Sequence, residues 1–513
     1  ARPAVPVGSL PLRDPTIDLV LQVTGAALPP RFAPADLAPS FDAARRHFSD
    51  LRDRVRIDTP DPWLNAAMGA LNVAADAVWD GEQHAIMHGA IAWRMKLLGW
   101  RGPYALDALG WHERARANFG VWTERQDVSP IPAAPPPADP RANLARNEPG
   151  LHSNGAMSSS HYDMNLVFVD ALLRHLLWTG DVAYARAVWP VLERHLAWER
   201  RLFRREFGPD GLPLYDAYAA IWASDDLYYD GGGVTHASAY NAWHNDMAAR
   251  IAALIGKDPT PYRLEADAIR RAMRRELWMP ERGAFAENRD VLGRRLLHPS
   301  YGLWTFYHTI DSQVPTAFEA ARMAADLDTH LRAIPVTGPG VPADRPYRVL
   351  PETDWMPYSW SINNVVFDEN LHTALAYWQA GRPETAYDIA KGAVLASLYM
   401  GISPGNIGTL NYLDVYRREA QRDFADGIGV MSRAIVEGLF GVRPDALAGV
   451  LTLRPGLPAA WDHAALTHPD LDLSYRRSGN QDIWIVGQAV KRFRRLVLEL
   501  TVRGAGVARG AVD

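Results

Sequence analysis

The sequence is dominated by stretches in which apolar residues recur every three or four positions, the spacing of an amphipathic α-helix. Short turns such as Thr179-Gly180-Asp181, Lys257-Asp258-Pro259 and Gly381-Arg382-Pro383 separate successive stretches. Turns of this length join neighbouring helices into antiparallel hairpins, and six hairpins can close into an inner and an outer ring. The pattern therefore predicts a mainly α fold, an (α/α)6 barrel.

We expect twelve helices, and no repeat of fixed period accompanies them. The predicted ranges are 61–79, 86–98, 103–119, 160–179, 182–205, 236–255, 259–277, 299–310, 313–327, 360–380, 383–399 and 428–440. The barrel is accordingly expected to span residues 58–440.

The two flanks of the chain follow a different pattern. Residues 16–23 are predicted to form a strand, and a Pro-rich stretch follows, so we interpret 1–57 as a strand and linker or as the end of an upstream β-domain. After residue 440 apolar and polar residues alternate in short runs bounded by turn residues. Residues 441–513 are therefore expected to form a small C-terminal β-domain.

Composition and motifs exclude several classes of function. The 54 basic and 59 acidic residues are interleaved, so the chain has no basic stripe for nucleic acid. Cysteine is absent, which excludes thiolate catalysis and zinc–thiolate sites, and no apolar run reaches the roughly 18 residues of a membrane span. Phosphate-binding loops, His-Glu-x-x-His and nucleophile elbows are also missing. We expect no metal, no other cofactor, and neither nucleic acid nor a membrane as partner.

The aromatic content suggests carbohydrate instead. The chain has 18 Trp and 19 Tyr, whose flat rings can offer an apolar face and a polar edge to a sugar. Packing in the core is the alternative explanation for any one of these rings. An oligosaccharide or glycoside is therefore the expected substrate.

Hydrolysis of a glycosidic bond needs two carboxyl groups that serve the two sides of the reacting carbon. The segment 221–233 combines Asp225 and Asp226 with Trp222 and a run of three glycines, between two predicted helices. An Asp-Gly turn that caps the following helix would have the same composition. This segment is the first candidate for the active site.

Two further acidic segments are candidates. In 354–372, Glu369 and His372 are three residues apart and share one face of a predicted helix, which also fits a structural Glu–His pair. In 401–429, Glu419 and Asp423 lie in a long stretch rich in charged residues, which also fits a solvated loop. A fourth segment places Arg101, with Trp100 and Trp111 nearby, between two predicted helices, where an Arg could hold a sugar carboxylate or pack on a ring.

Short motifs along the chain resemble those of the six-hairpin glycosidase clan, over residues 58–461. The clan includes glycoside hydrolase families 63, 37, 78 and 95. The closest resemblance is to a bacterial family of formerly unknown function, which carries Ser403-Pro404-Gly405-Asn406 and Tyr416-Arg417-Arg418-Glu419 in similar form. The motifs shared with the clan are Thr59-Pro60-Asp61-Pro62, Leu177-Trp178-Thr179-Gly180-Asp181, Gly208-Pro209-Asp210-Gly211-Leu212 and Leu453-Arg454-Pro455-Gly456-Leu457-Pro458 with Trp461.

The resemblance implies an enzyme that inverts the anomeric centre. Its general-acid loop is similar to Ser224-Asp225-Asp226, so Asp226 or Asp225 would be the acid. Its general base precedes the last barrel helix, which corresponds to Glu419 or Asp423. The segment 358–363 departs from the pattern of the relatives, whose Trp-Arg-Gly-Pro occurs here at 100–103, so Glu369 is kept as an alternative.

We therefore expect an exo-acting, inverting glycoside hydrolase, periplasmic or secreted, that acts on oligosaccharides derived from plants or bacteria. One alternative is a polysaccharide lyase or sugar epimerase on the same barrel, with His236, His372 or Tyr240 as base. Another is a carbohydrate-binding protein without catalysis. The residues expected to contact sugar are Trp100, Arg101, Trp111, Trp222, His236, Tyr240, Trp355, Trp360, Asn363 and His372.

Overall fold

The structure is a computed structural model of the 513-residue chain. The residues that it describes are 33–91, 94–96, 98, 101–131, 133, 163–216, 232–338, 341–342, 344, 347–355, 365–399 and 425–501.

Helices account for most of the described residues. Two π-helical turns, Leu395–Tyr399 and Ala434–Leu439, extend the twelfth and thirteenth helices, and a 3₁₀ turn, Pro34–Asp36, precedes the first. The α-helices are α1 Leu37–Arg52, α2 Pro62–Ala77, α3 Tyr104–Ala108, α4 His112–Thr123, α5 Asp163–Thr179, α6 Val182–Leu202, α7 Thr235–Ile255, α8 Thr260–Glu276, α9 Leu303–Asp311, α10 Ala317–His330, α11 Phe367–Gln379, α12 Pro383–Val394 and α13 Ala425–Arg433.

The strands are short and lie in several small sheets. They are β1 Arg56–Asp58, β2 Trp79–Asp80, β3 Ala85–Ile86, β4 Arg204–Phe207, β5 Leu212–Tyr215, β6 Gly233–Val234, β7 Trp278–Met279, β8 Ala284–Phe285, β9 Asn288–Arg289, β10 Leu297–His298, β11 Ile334–Pro335, β12 Arg348–Val349, β13 Val442–Asp445, β14 Val450–Leu453, β15 His463–His468, β16 Leu471–Ser478, β17 Gln481–Gln488 and β18 Arg495–Leu498.

Six helices form a closed inner ring. Helix α3 packs on α5, α5 on α7, α7 on α9, α9 on α11, α11 on α13, and α13 returns to α3. Every residue of α9 and α13 is buried, as expected for helices enclosed by a second layer. Helices α2, α4, α6, α8, α10 and α12 alternate with them along the chain and form the outer layer. The predicted (α/α)6 barrel is confirmed.

Side-chain caps define where several outer helices begin. Asp61 accepts hydrogen bonds from the backbone N–H groups of Trp63 and Leu64 at the start of α2. Thr316 and Glu319 form a reciprocal capping box at the start of α10. These side chains satisfy N–H groups that have no partner within the helix, so they fix the ends of the hairpins.

The C-terminal residues form two small sheets, in agreement with the expected β region. One has the order β1-β15-β16-β17 and the other β13-β14-β18. Strand β1 pairs antiparallel with β15, with Ile57 opposite Leu466, so the segment before α2 is bonded to the C-terminal sheet. Helix α1 also lies in the segment expected to be strand and linker. The boundaries at residues 57 and 440 stay a prediction, and residues 16–23 lie outside the described part.

The predicted helix 86–98 is wrong over its described residues. Ile86 ends strand β3, and Met87 forms an isolated antiparallel bridge with Lys96. The Ile86 N–H donates to the Asn118 side chain of α4 and that of Met87 to the carbonyl of Val78, so neither has the partner four residues earlier that a helix would supply. Tertiary contacts therefore override the local apolar spacing here.

The predicted helix 103–119 is two helices, α3 and α4. Gly110 lies between them with φ of 73°, a left-handed conformation that favours glycine. A Cβ at Gly110 would lie 2.9 Å from Pro469 Cγ, so the break also lets the C-terminal sheet approach closely. None of the described helices is long and apolar enough to cross a membrane.

Candidate active site

A cluster of charged side chains lies where α3, α11 and α13 begin. We call it the acid cluster: Arg101, Tyr307, Asp368, Glu369 and Asp426. All five side chains are buried, and Arg101 and Glu369 have no exposed surface. Arg101 precedes α3, Tyr307 is on α9, and the carboxylates are in the first turns of α11 and α13.

Arg101 holds the acid cluster together. Its Nη2 donates to Asp368 Oδ2 and, at 2.5 Å, to Glu369 Oε1. Its backbone N–H donates to Asp426 Oδ1 at 2.8 Å, and its Nη1 donates to the Tyr307 hydroxyl at 3.4 Å. The Tyr307 hydroxyl in turn donates to Glu369 Oε2 at 2.5 Å. One guanidinium thus connects three inner helices with the segment before a fourth.

Two glycines allow this arrangement. A Cβ at Gly429 would lie 1.9 Å from the carbonyl oxygen of Arg101, and one at Gly102 would lie 2.6 Å from the Cβ of Ala425. Helix α13 can therefore approach the Arg101 backbone only because neither position carries a side chain. This contact sets Asp426 against the backbone N–H of Arg101.

The acid cluster holds more negative than positive groups. Burial, followed by repulsion from Asp368, raises the pKa of Glu369 to about 7 against the attraction of Arg101. Burial, with Asp368 and Glu369 nearby, raises the pKa of Asp426 to about 7 in the same way. Because these groups titrate together, the protons belong to the cluster rather than to one residue. Near neutral pH the cluster can therefore hold or release a proton.

A layer of rings lies beside the acid cluster inside the barrel. The His372 ring stacks on Tyr307 with centroids 4.1 Å apart, and its Nε2 lies 3.2 Å from Asp311 Oδ2. The Tyr240 hydroxyl lies 3.5 Å from His308 Nε2. Burial lowers the pKa of His372 to about 4 and raises that of Tyr240 well above its usual value. His372 and Tyr240 are thus neutral near pH 7 and enclosed by the barrel.

Glu287 is a further buried carboxylate and lies close to His236. Its buried carboxylate accepts hydrogen bonds from Trp304 Nε1 at 2.7 Å, from the Thr305 hydroxyl, and from the Gly302 N–H at 3.3 Å. Burial raises the pKa of Glu287, and the neighbouring His236 and the three hydrogen-bond donors oppose this. Glu287 is therefore held by several donors.

The structure brings together only some of the residues expected at the site. Glu369, Arg101 and His372 belong to one connected set of contacts. Trp355 is half-buried and packs edge-on against Trp304, with centroids 5.4 Å apart.

Trp111 follows α3 in the chain and does not join the acid cluster. Its ring lies between the guanidinium groups of Arg54 and Arg114, at 4.6 and 4.8 Å. The remaining expected residues lie outside the described part of the chain and stay predictions: Asp225, Asp226, Glu419, Asp423, Trp100, Trp222, Trp360 and Asn363.

Asp368, Asp426 and Tyr307 were not among the residues expected at the site. Asp368 adjoins Glu369, and Asp426 is followed by Gly427 and Gly429, which is a signal for close backbone approach. Tyr307 carries no such signal in its neighbours. No group of three or more His, Asp or Glu side chains among the described residues is arranged to hold a metal ion.

Comparison with known proteins supports the fold. No family model matches the sequence, and no curated protein matches it. A GH78 family rhamnosidase of Bacillus sp. GL1 is 13% identical with a TM-score of 0.57, over 87% of this chain and 42% of that one. A sialidase is 12% identical with a TM-score of 0.61, over 88% and 42%. An α-L-rhamnosidase from Aspergillus terreus is 11% identical with a TM-score of 0.50, over 87% and 48%.

The chain thus spans less than half the length of these three proteins. At such low identity the likeness concerns the fold and not the substrate. The resemblance inferred from the sequence motifs agrees with it. The chain has the barrel fold of the six-hairpin glycosidases.

Proposed function

We propose that this protein is a glycoside hydrolase that is exo-acting, inverts the anomeric centre, and acts on oligosaccharides from plants or bacteria. The observation that carries the proposal is the acid cluster, a set of three carboxyl groups at one end of the inner ring. Two of them, Glu369 and Asp426, have a pKa of about 7. A carboxyl group in this range can donate a proton near neutral pH, which glycoside hydrolysis requires.

The proposal assigns direct contact with the sugar to residues beyond the acid cluster. Asp226 or Asp225 would protonate the leaving oxygen, and Glu419 or Asp423 would activate water. The acidic segments 354–372 and 401–429 run into the starts of α11 and α13, where the acid cluster lies. Glu369 is the alternative base, although its contacts with Arg101 and Tyr307 also suit a group that positions its neighbours.

The lyase and epimerase alternatives receive less support. They would use His236, His372 or Tyr240 to remove a proton from carbon. His236 and His372 have no exposed surface, and Tyr240 is 2% exposed. The carboxyl groups of the acid cluster are equally buried, so burial alone does not separate these reactions. The pKa values favour the hydrolase. His372, with a pKa lowered to about 4, is a weak base, and Tyr240, with a pKa raised well above its usual value, stays protonated near neutral pH.

Hydrolysis of a panel of aryl glycosides tests the proposal. α-L-Rhamnosides come first because two of the similar structures are rhamnosidases. The comparison is between the native chain, Asp226→Asn and Asp210→Asn. Asp210 is an exposed Asp paired with Arg275, so its variant is a matched control. Proton NMR of the first product identifies the newly formed anomer.

We expect turnover with an inverted product, a loss of at least about 100-fold in Asp226→Asn, and no loss in Asp210→Asn. A retained anomer would contradict inversion. An unsaturated product that absorbs ultraviolet light would establish a lyase. Sugar binding without turnover on any substrate would favour a binding protein.

A further inference from the structure

A cavity lies at the opposite end of the inner ring from the acid cluster. It has a volume of about 360 Å³ and is enclosed by the last turns of α5, α9 and α11, the start of α10, and strand β13. Its charged lining residues are Arg174, Asp311, Glu437 and Arg443. We call it the basal cavity. Its volume suits a small ligand.

Most of the charge at the basal cavity is already paired. Asp311 accepts from Arg433 Nη1 and Nη2 at 2.8 and 2.9 Å, and from Gln379 Nε2 at 2.8 Å. Arg174 Nη2 lies 3.0 Å from the same carboxylate and its Nε donates to Asp170 at 2.7 Å. These groups form the floor of the cavity and need no ligand.

Arg443, unlike the other charged residues of the basal cavity, has no direct partner in the described part of the chain. Within the described part of the chain its guanidinium makes no hydrogen bond or ion pair, although the residue is half-buried. Burial, followed by repulsion from Arg454, lowers the pKa of Arg443 below its usual value, although the carboxylates of Glu499, Glu437 and Asp311 act in the opposite direction. The nearest carboxylate to Arg454 is Glu499, at 3.8 Å. One wall of the basal cavity therefore carries a half-buried positive charge that has no carboxylate within ion-pair distance among the described residues, which disfavours the empty site.

Glu437 provides a hydrogen-bond acceptor in the same cavity. Its Oε2 accepts from Arg433 Nε at 2.8 Å, and among the described residues no donor contacts its Oε1. A ligand hydroxyl could donate to this oxygen. Trp178, Ile310 and Val442 supply apolar surface between the polar groups.

We infer that the basal cavity binds a small carboxylate that also carries hydroxyl groups, such as a sugar acid. The carboxylate would pair with the Arg443 guanidinium, which matches it in two parallel hydrogen bonds. A hydroxyl would donate to Glu437, and the carbon skeleton would lie against the apolar surface. This inference rests on its own residues and does not depend on the proposed hydrolase activity.

Isothermal titration calorimetry of the full chain with gluconate and with glucuronate tests the inference. We expect Arg443→Met to weaken binding by about tenfold or more, since a charge-assisted contact is lost. Arg250→Met is the matched control, because Arg250 pairs with Asp445 of the same strand outside the cavity lining. It should bind as the native chain does. Glucose, which has no carboxylate, should bind at least about tenfold more weakly than gluconate.

A second variant tests the inference independently, in case Arg443→Met does not fold. Ala317 lines the basal cavity at the exposed start of α10, so Ala317→Phe should obstruct the cavity without touching the barrel core. It should also weaken gluconate binding. Undiminished binding in both variants would overturn the inference. Acetate or inorganic phosphate binding as tightly as gluconate would overturn the role of the hydroxyl groups.

Discussion

The two ends of the barrel place buried carboxylates in opposite surroundings. In the acid cluster three carboxyl groups surround the single guanidinium of Arg101, and the pKa of Glu369 is raised to about 7. At the basal end the carboxylate of Asp311 lies between the guanidinium groups of Arg174 and Arg433, and its pKa is held well below the usual range. The same inner helices thus carry proton-exchanging groups at one end and fixed charges at the other. We therefore expect substitutions in the acid cluster to affect proton transfer, and substitutions at the basal end to affect mainly the stability of the fold.

Removing the cation of the acid cluster should have the largest effect. Arg101→Met removes the cation that three buried carboxyl groups share, so we expect the free energy of unfolding to fall by about 3–5 kcal/mol. Turnover should fall by at least about 100-fold, because the acid cluster loses its geometry. Chemical denaturation and hydrolysis of the best aryl glycoside measure the two effects. Arg45→Met, at an exposed pair with Asp42, is the control and should change neither.

Removing the charge of Asp311 at the basal end should lower stability but leave activity nearly unchanged. Asp311→Asn removes the carboxylate that Arg174 and Arg433 share and leaves each with one other carboxylate partner, Asp170 and Glu437 respectively. We expect a cost of about 3 kcal/mol in unfolding free energy. Turnover per folded molecule should stay within about threefold of native, because Asp311 reaches the acid cluster only indirectly, through the His372 ring that stacks on Tyr307. Denaturation curves and active-fraction titration measure these quantities. If Asp311→Asn lost activity without losing stability, the basal end would be part of the catalytic machinery, and the proposed difference between the two ends would be wrong.

The two ends should respond to pH in opposite directions. The pKa of Glu369 is higher in the folded chain than its ordinary 4.5, so its contribution to stability is present below about pH 4 and is lost as pH rises through 7. We expect the free energy of unfolding to fall by about 3 kcal/mol between pH 5 and pH 8. In Glu369→Gln the free energy of unfolding should depend less on pH over this range. Asp311, with its lowered pKa, stabilises the fold above about pH 4 and loses this as pH falls. Denaturation from pH 3 to 9 measures how the free energy of unfolding changes with pH. If Glu369→Gln showed the same pH dependence as the native chain, Glu369 would not be the source of the loss at high pH.

A smaller effect is expected at the junction of α4 with the C-terminal sheet. His112 donates to Asp107 at 2.7 Å and to Asp470 at 2.8 Å. Burial lowers its pKa, but these two carboxylates raise it more, to about 9. Its stabilisation is therefore present below about pH 6.5 and lost as pH rises through 9. His112→Gln should cost about 1–2 kcal/mol at pH 7 and increase hydrogen exchange in α4 and β16. Equal exchange in variant and native chain would contradict this role.

The sequence predicts the repetitive parts of the fold better than its exceptions. Helix α8 and the alternating strand β16 follow from spacing alone, because each buries one face. The segment around Met87 has helical spacing, but its N–H groups bond as in a short hairpin: that of Met87 donates to Val78 and that of His88 to Met95. Pairing of this kind is not visible in the apolar spacing of the segment.

The site was predicted in part for the same reason. Glu369 and Arg101 stand out as residues, yet nothing in the sequence shows that they touch. Asp426 and Tyr307 join them only because α13 and α9 meet at the same place in the inner ring. The position of Asp426 depends on Gly429, whose role is visible only once the Arg101 backbone lies against it.

The closure of the inner ring between α3 and α13 has a consequence for synthesis on the ribosome. Arg101 emerges early, whereas its partners Asp368, Glu369 and Asp426 follow 267, 268 and 325 residues later. Contacts of such long sequence separation form late, because they need most of the chain in place. While the ribosome is between α3 and α13, the nascent chain already contains Arg101 but not yet all of the carboxylates that pair with it in the folded barrel. The barrel is therefore expected to be dependent on chaperones until translation has passed α13.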